Sequence, residues 1–131
     1  AMFFGCESFN QPIDNFDTSS ATNMAKMFQD SSFNFPVSNF NTSQVTEFAH
    51  MFENCPFNWP LDNFDTSRAR DMSHMFRNNM AFNQPLQWQT GTVIGMQEMF
   101  FNATSFDQSL CWNLTGILGT YYVSILLHFS R

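Results

Sequence analysis

A unit of about 24 residues recurs along this chain of 131 residues. A unit that short cannot bury its own apolar face and must bury it against its neighbours, so the recurrence dictates a stack. The dipeptide Met-Phe returns at Met2-Phe3, Met27-Phe28, Met51-Phe52, Met75-Phe76 and Met99-Phe100. A second Phe follows at Phe9-Asn10, Phe33-Asn34, Phe57-Asn58, Phe82-Asn83 and Phe106-Asp107, and a Pro-aliphatic pair at Pro12-Ile13, Pro36-Val37, Pro60-Leu61 and Pro85-Leu86. An aromatic then leads into a polar triplet: Phe16-Asp17-Thr18-Ser19, Phe40-Asn41-Thr42-Ser43, Phe64-Asp65-Thr66-Ser67 and the degraded Trp88-Gln89-Thr90-Gly91. These columns hold 13 of the 18 Phe and, with Met24, Met72 and Met96 three residues before the Met-Phe pairs, 8 of the 9 Met, which explains why Phe and Met stand where most domains use Leu, Val and Ile.

After each triplet, apolar residues fall at offsets 0, 3, 6 and 7, as in Val45, Phe48, Met51 and Phe52. That spacing predicts short amphipathic helices near 20–29, 44–53, 68–77 and 92–101, with Ser19, Ser43 and Ser67 as N-caps. The segment from the Pro-aliphatic pair to the aromatic reads as a very short strand with its Pro at the start. The expected fold is therefore α/β: a leucine-rich-repeat-like solenoid of about five coils over residues 1–113, with short parallel strands on one side and short helices on the other. Residues 114–131 abandon the pattern and read as a divergent C-terminal cap or a truncated tail. Their apolar run, Leu114 to Phe129, falls short of a membrane helix. No charged start followed by an apolar run opens the chain, so no signal peptide is expected in it, and the opening in mid-repeat reads as a piece or a processed product.

The pattern Phe-Asn-x-Pro-Leu-x-x-Phe-Asp-Thr-Ser-x-x-x-x-Met-x-x-Met-Phe, from Phe57 to Phe76, resembles the BspA-like leucine-rich repeat family. The variant it resembles was first described as a domain of unknown function in bacterial surface lipoproteins and was later found in algal proteins. The resemblance covers about residues 2–113 and implies a surface or secreted protein of adhesive or interaction type, without known catalysis. The fourth repeat departs from the pattern with Gly91 in place of the Ser, and the pattern ends after Trp112.

Eleven acidic against five basic side chains give a net charge of −6. A nucleic-acid binder needs clustered Lys and Arg, so that class is disfavoured, as is docking on an anionic membrane. No Gly-rich phosphate loop, Gly-x-Ser-x-Gly elbow or His-Glu-x-x-His is present, so neither an enzyme nor a cofactor is expected. Two classes of function remain. One is a non-catalytic protein-interaction or adhesion module, extracellular or on the cell surface, with a protein or a surface glycan as partner. The other is a structural or docking subunit of a larger, organelle-associated assembly with neighbours at the solenoid ends.

Particular residues sharpen these expectations. The column Gln11, Phe35, Trp59, Gln84, Gln108 turns aromatic in two adjacent repeats, so Phe35 and Trp59 are either a contact hot spot on a polar ridge or rings folded back over the core. The neighbouring column, Asn10, Asn34, Asn58 and Asn83, reads as amides bonding backbone groups between coils. Glu47, His50, Asp71 and His74 have ligand chemistry for a transition metal, but a solvated face with local ion pairs is the preferred reading and no metal is expected. Cys6 and Cys55 share a column two coils apart, too far for a disulfide, and read as small core residues; Cys111 is either a free thiol or bonded outside the chain. Asn41, Asn102 and Asn113 head glycosylation sequons that matter only if the protein is secreted by a eukaryote.

Overall fold

The structure is a computed structural model, and it describes residues 1–117. It overturns the expected α/β, leucine-rich-repeat-like solenoid. Among the described residues there is no α-helix, and parallel pairing is reduced to isolated bridges that join Asn23, Glu47, Asp71 and Gly95 in turn. The segments expected as helices near 20–29, 44–53, 68–77 and 92–101 are runs of turns, and the expected strands are turns and irregular chain. The expected cap or truncated tail at 114–131 lies outside the described residues from 118 onward.

Helices are excluded because two residues per repeat sit in the left-handed region. Lys26, His50, His74 and Glu98 have φ of 61°, 60°, 60° and 50°, and Asp30, Asn54, Asn78 and Asn102 have φ of 57°, 49°, 55° and 56°. A right-handed helix needs negative φ throughout, so either residue ends it. The backbone amides then alternate in direction. Met27 and Gln29 donate back to the carbonyls of Met24 and Lys26, closing tight turns. Met24, Lys26, Phe28 and Asp30 donate instead to Glu47, Ala49, Met51 and Glu53 of the next repeat, at 2.9, 2.9, 3.0 and 3.0 Å. The same four rungs run from Phe48, His50, Phe52 and Asn54 to Asp71, Ser73, Met75 and Arg77, and again from Met72, His74, Phe76 and Asn78 to Gly95, Gln97, Met99 and Phe101. Backbone groups that a helix would satisfy internally are thus satisfied between repeats.

The polar triplet supplies a second strut. Thr18, Thr42, Thr66 and Thr90 are buried, and their hydroxyls donate to the carbonyls of Asn41, Asp65, Gln89 and Asn113 in the next repeat at 3.1, 3.0, 2.9 and 2.7 Å. Asp17, Asn41 and Asp65 each accept the amide of the residue two positions on, so Ser19, Ser43 and Ser67 are donors in Asx turns and not helix caps. Hydrogen bonds from Ser19, its amide first, hold the Asp17 carboxyl below its ordinary value, and those from Ser67, its hydroxyl first and then its amide, do the same for Asp65.

Packed between these struts are files of rings. Phe3, Phe28, Phe52, Phe76 and Phe100 follow one another at 5.6, 5.6, 5.7 and 5.5 Å between centroids. Phe9, Phe33, Phe57, Phe82 and Phe106 do so at 5.9, 6.2, 6.3 and 5.9 Å. Within each repeat the two files meet face to face at 4.1, 4.0, 4.1, 4.1 and 4.2 Å, a stacked geometry that adds to the gain from burying the rings. A further file ends in Phe64, Trp88 and Trp112, each 6.2 Å from the next. Between the two Phe files the fourth repeat carries one residue more than the third; the rings keep their separation and Met80 is pushed out to 58% exposure.

The left-handed turns make a prediction opposite to the helical one. At Asn78, the Gly variant is expected to be more stable than the Ala variant by about 1 kcal/mol, because only Ala meets the steric penalty of positive φ. A helix would favour Ala over Gly by a similar margin. Urea denaturation of the two variants decides it, since both lose the same side-chain bond from Asn102 to Asn78.

Candidate functional site

Two surfaces collect the chemistry-bearing side chains. The first is a ridge built on the Asn column. The amides of Asn34, Asn58, Asn83 and Asp107 donate to the side-chain Oδ1 of Asn10, Asn34, Asn58 and Asn83 at 2.9, 3.2, 2.9 and 3.0 Å, so each carboxamide is held by the next repeat. Beside it, Gln84 Nε2 donates to Asn58 Oδ1 at 3.1 Å and Gln108 Nε2 to Asn83 Oδ1 at 2.9 Å. Trp59 takes the same place with its indole, Nε1 donating to the Asn34 carbonyl at 3.0 Å. Its ring is left 40% exposed. Phe35 has no such donor and packs half-buried against the core. Of the aromatic pair picked out in the sequence, one ring is therefore on the surface and the other lies partly inside.

The second surface is an ionic grid of two files, Lys26, His50, His74 and Glu98 beside Gln29, Glu53, Arg77 and Phe101. The carboxylate of Glu53, only 4% exposed, sits at its centre. It meets His50 Nδ1 at 2.5 Å, Gln29 Nε2 at 2.8 Å and Arg77 Nη1 at 3.1 Å. Arg77 Nε also reaches Glu98 at 2.9 Å, and its guanidinium lies over the Phe101 ring at 5.2 Å. The imidazoles of His50 and His74 stack at 4.6 Å. The metal candidates do not converge. His50 turns to Glu53, Asp71 accepts the Ser73 amide, and Glu47 meets Asp71 through backbone pairing. Among the described residues no group of three or more His, Cys, Asp or Glu is placed to hold a metal. The helical reading missed Gln29, Glu53 and Arg77, although opposite charges 24 residues apart at Glu53 and Arg77 were a usable signal.

Burial, and after it the neighbouring His50, hold His74 below the ordinary imidazole value of 6.5, against the pull of Glu98 and Glu53. The unfolded chain therefore takes up this proton at higher pH than the folded one, and stability present above 6.5 is lost as pH falls below it. A His74→Gln variant is expected to show a shallower decline of Tm on acidification through that window, read by thermal melts at matched ionic strength.

The remaining candidates are scattered. Asn41, Asn102 and Asn113 are exposed; Asn102 donates to Asn78 Oδ1 at 3.1 Å, and Asn41 and Asn113 accept local amides in turns. Cys55 is buried as expected, with burial pushing its thiol up to about 11, whereas Cys6 is exposed and so departs from the core role expected of it. Cys6 belongs to the first repeat, where among the described residues no earlier repeat covers that position. Cys111 is exposed and free. A shallow groove of about 710 Å³ beside Met80, lined by Asn54, Cys55, Pro56, Asn78, Ala81 and Asn102, opens to solvent and contains no titratable group besides that protonated thiol.

Two successive segments of the chain, residues 1–56 and 54–120, match a family described as "Mycoplasma protein of unknown function, DUF285". No curated protein and no solved structure matches the chain. Among the described residues no helix is long and apolar enough to cross a membrane.

Proposed function

The chain belongs to the DUF285 family, and from that footing we propose that it is a non-catalytic interaction module of adhesive type, secreted or displayed at a cell surface, with repeats of the BspA-like kind. One observation carries the reading: side chains in equivalent positions are held in straight files by bonds between repeats, as in the Asn column. Such a surface is extended, rigid and periodic, and suits a partner that contacts several repeats at once. The grid of titratable groups, by contrast, is bonded within itself, Glu53 to His50 and Arg77 and Glu98 to Arg77, which leaves few of its polar atoms to engage a bound molecule.

Beads coated with the purified chain test this against a panel of matrix preparations and whole-cell surfaces. Saturable attachment, abolished by heat unfolding of the coat, is expected. Attachment no better than that of albumin-coated beads to every surface would overturn it, as would native mass spectrometry of source material finding the chain only inside a stable multiprotein complex.

A further inference from the structure

We propose that the ridge of Asn10, Asn34, Asn58 and Asn83 and its neighbouring column is a binding site for a neutral, linear glycan, with Trp59 as the platform on which one sugar ring stacks. This rests on the adhesive reading and names the partner within it. Charge is the first argument. The chain carries a net charge of −6, yet neither column holds a charged side chain until Asp107 in the last repeat. An acidic or basic peptide, a phosphate or an anionic polysaccharide finds no counter-charge along the ridge, whereas a neutral sugar needs none.

Hydrogen-bonding capacity is the second. Each Asn Oδ1 is occupied by the amide of the next repeat, which fixes the carboxamide plane. The Nδ2 groups of Asn34 and Asn58 make no hydrogen bond among the described residues, and both side chains are exposed. A row of oriented amide donors, one per repeat, is matched to hydroxyl acceptors that recur along a polymer. Trp59 supplies the apolar half. Its Nε1 bond to the Asn34 carbonyl locks the ring before any ligand arrives, so little rotamer freedom remains to be lost on binding. A sugar presents an apolar C–H face to such a ring and hydroxyls to its flanks.

The choice of a glycan over a protein partner rests on what surrounds the indole. A protein hot spot is ringed by contacts that exclude water. Here the ring stands beside the exposed amides of Asn34 and Asn58, and the other exposed large apolar side chains, Met2, Phe4, Phe16, Met80 and Ile94, all fall outside the two columns. A monosaccharide covers the indole alone, while longer oligomers reach the amides of adjacent repeats, so affinity should rise with chain length.

The test titrates the full chain with neutral glucose, mannose and N-acetylglucosamine oligosaccharides of increasing length, read by calorimetry and by indole fluorescence. Trp59→Gln is the informative variant, because Gln is the residue its own column uses at Gln84 and Gln108 and can restore the inter-repeat bond while deleting the ring. Saturable binding by at least one series is expected, tighter with length and weakened about tenfold or more in Trp59→Gln at an unchanged Tm. No binding at millimolar oligosaccharide, or binding that Trp59→Gln leaves intact, overturns the proposal. Coated beads separate the two readings. Attachment destroyed by periodate treatment of the target surface but not by protease supports the glycan. Attachment destroyed by protease but not by periodate overturns the glycan and leaves the adhesive reading standing. Absence of attachment to untreated surfaces overturns the adhesive reading itself.

Discussion

Replacing Phe52 with Ala is expected to lower stability by about 3–5 kcal/mol, the usual cost of truncating a fully buried Phe. Phe52 is 0% exposed and belongs to both kinds of ring contact, stacking on Phe28 at 5.6 Å and Phe76 at 5.7 Å along its file and on Phe57 at 4.1 Å across its repeat. The backbone around it alternates tight-turn bonds with bonds to the neighbouring repeats, so a void here also weakens the coupling between the repeats on either side. Against a total of about 5–15 kcal/mol for a domain, that loss is large enough to change the form of the transition as well as its midpoint. Urea denaturation should show a broader transition, with the repeats before and after position 52 partly uncoupled. Phe3, stacked on Phe28 but only partly buried, should respond far less to the same change. A Phe52→Ala variant that melts within about a degree of the parent would show that the ring files do not carry the stability.

The periodicity was legible because a ring file demands a ring at every layer, and Phe28, Phe52 and Phe76 leave an unmistakable mark on composition. The turn backbone was harder to see. Apolar residues at offsets 0, 3, 6 and 7 satisfy a helix, but consecutive tight turns also return side chains such as Met24 and Met27 to the same face after three residues. One column did carry the answer: Gly5, Asp30, Asn54, Asn78 and Asn102 are the residue types that best tolerate positive φ, and all five adopt it. The other left-handed column, Lys26, His50, His74 and Glu98, offers a weaker cue, because its conformation is set by the rungs to the next repeat and at Lys26 and Glu98 runs against residue preference. At the candidate site, the amide ladder follows directly from the Asn column, since carboxamides in register can only bond what lies in the next layer. The locked indole does not, because Trp59 reads as an interruption of a Gln column until its Nε1 is seen doing what a Gln amide does.

Thr42→Val is expected to cost about 2–4 kcal/mol, a surprising result for a nearly isosteric change in a polar triplet. Thr42 is 1% exposed, and its hydroxyl serves the next repeat twice, donating to the Asp65 carbonyl at 3.0 Å and accepting the Asp65 amide at 2.8 Å. Val preserves the shape and removes both partners at once, and each backbone group left unsatisfied costs about 1–3 kcal/mol, toward the low end where water reaches the exposed Asp65. Thr42→Ser separates the hydroxyl from the methyl: it keeps the bonds and loses one buried carbon, about 0.8 kcal/mol, so it should fall close to the parent. Thr18→Val should cost less than Thr42→Val, because Thr18 is 9% exposed. The order parent, Ser, Val at position 42, measured by urea denaturation, belongs to a hydroxyl acting as a strut between layers. Had this triplet opened a helix at the surface with Ser43 as its N-cap, Thr42 would stand just before the cap as a solvent-facing residue, and Val and Ser would both lie near the parent.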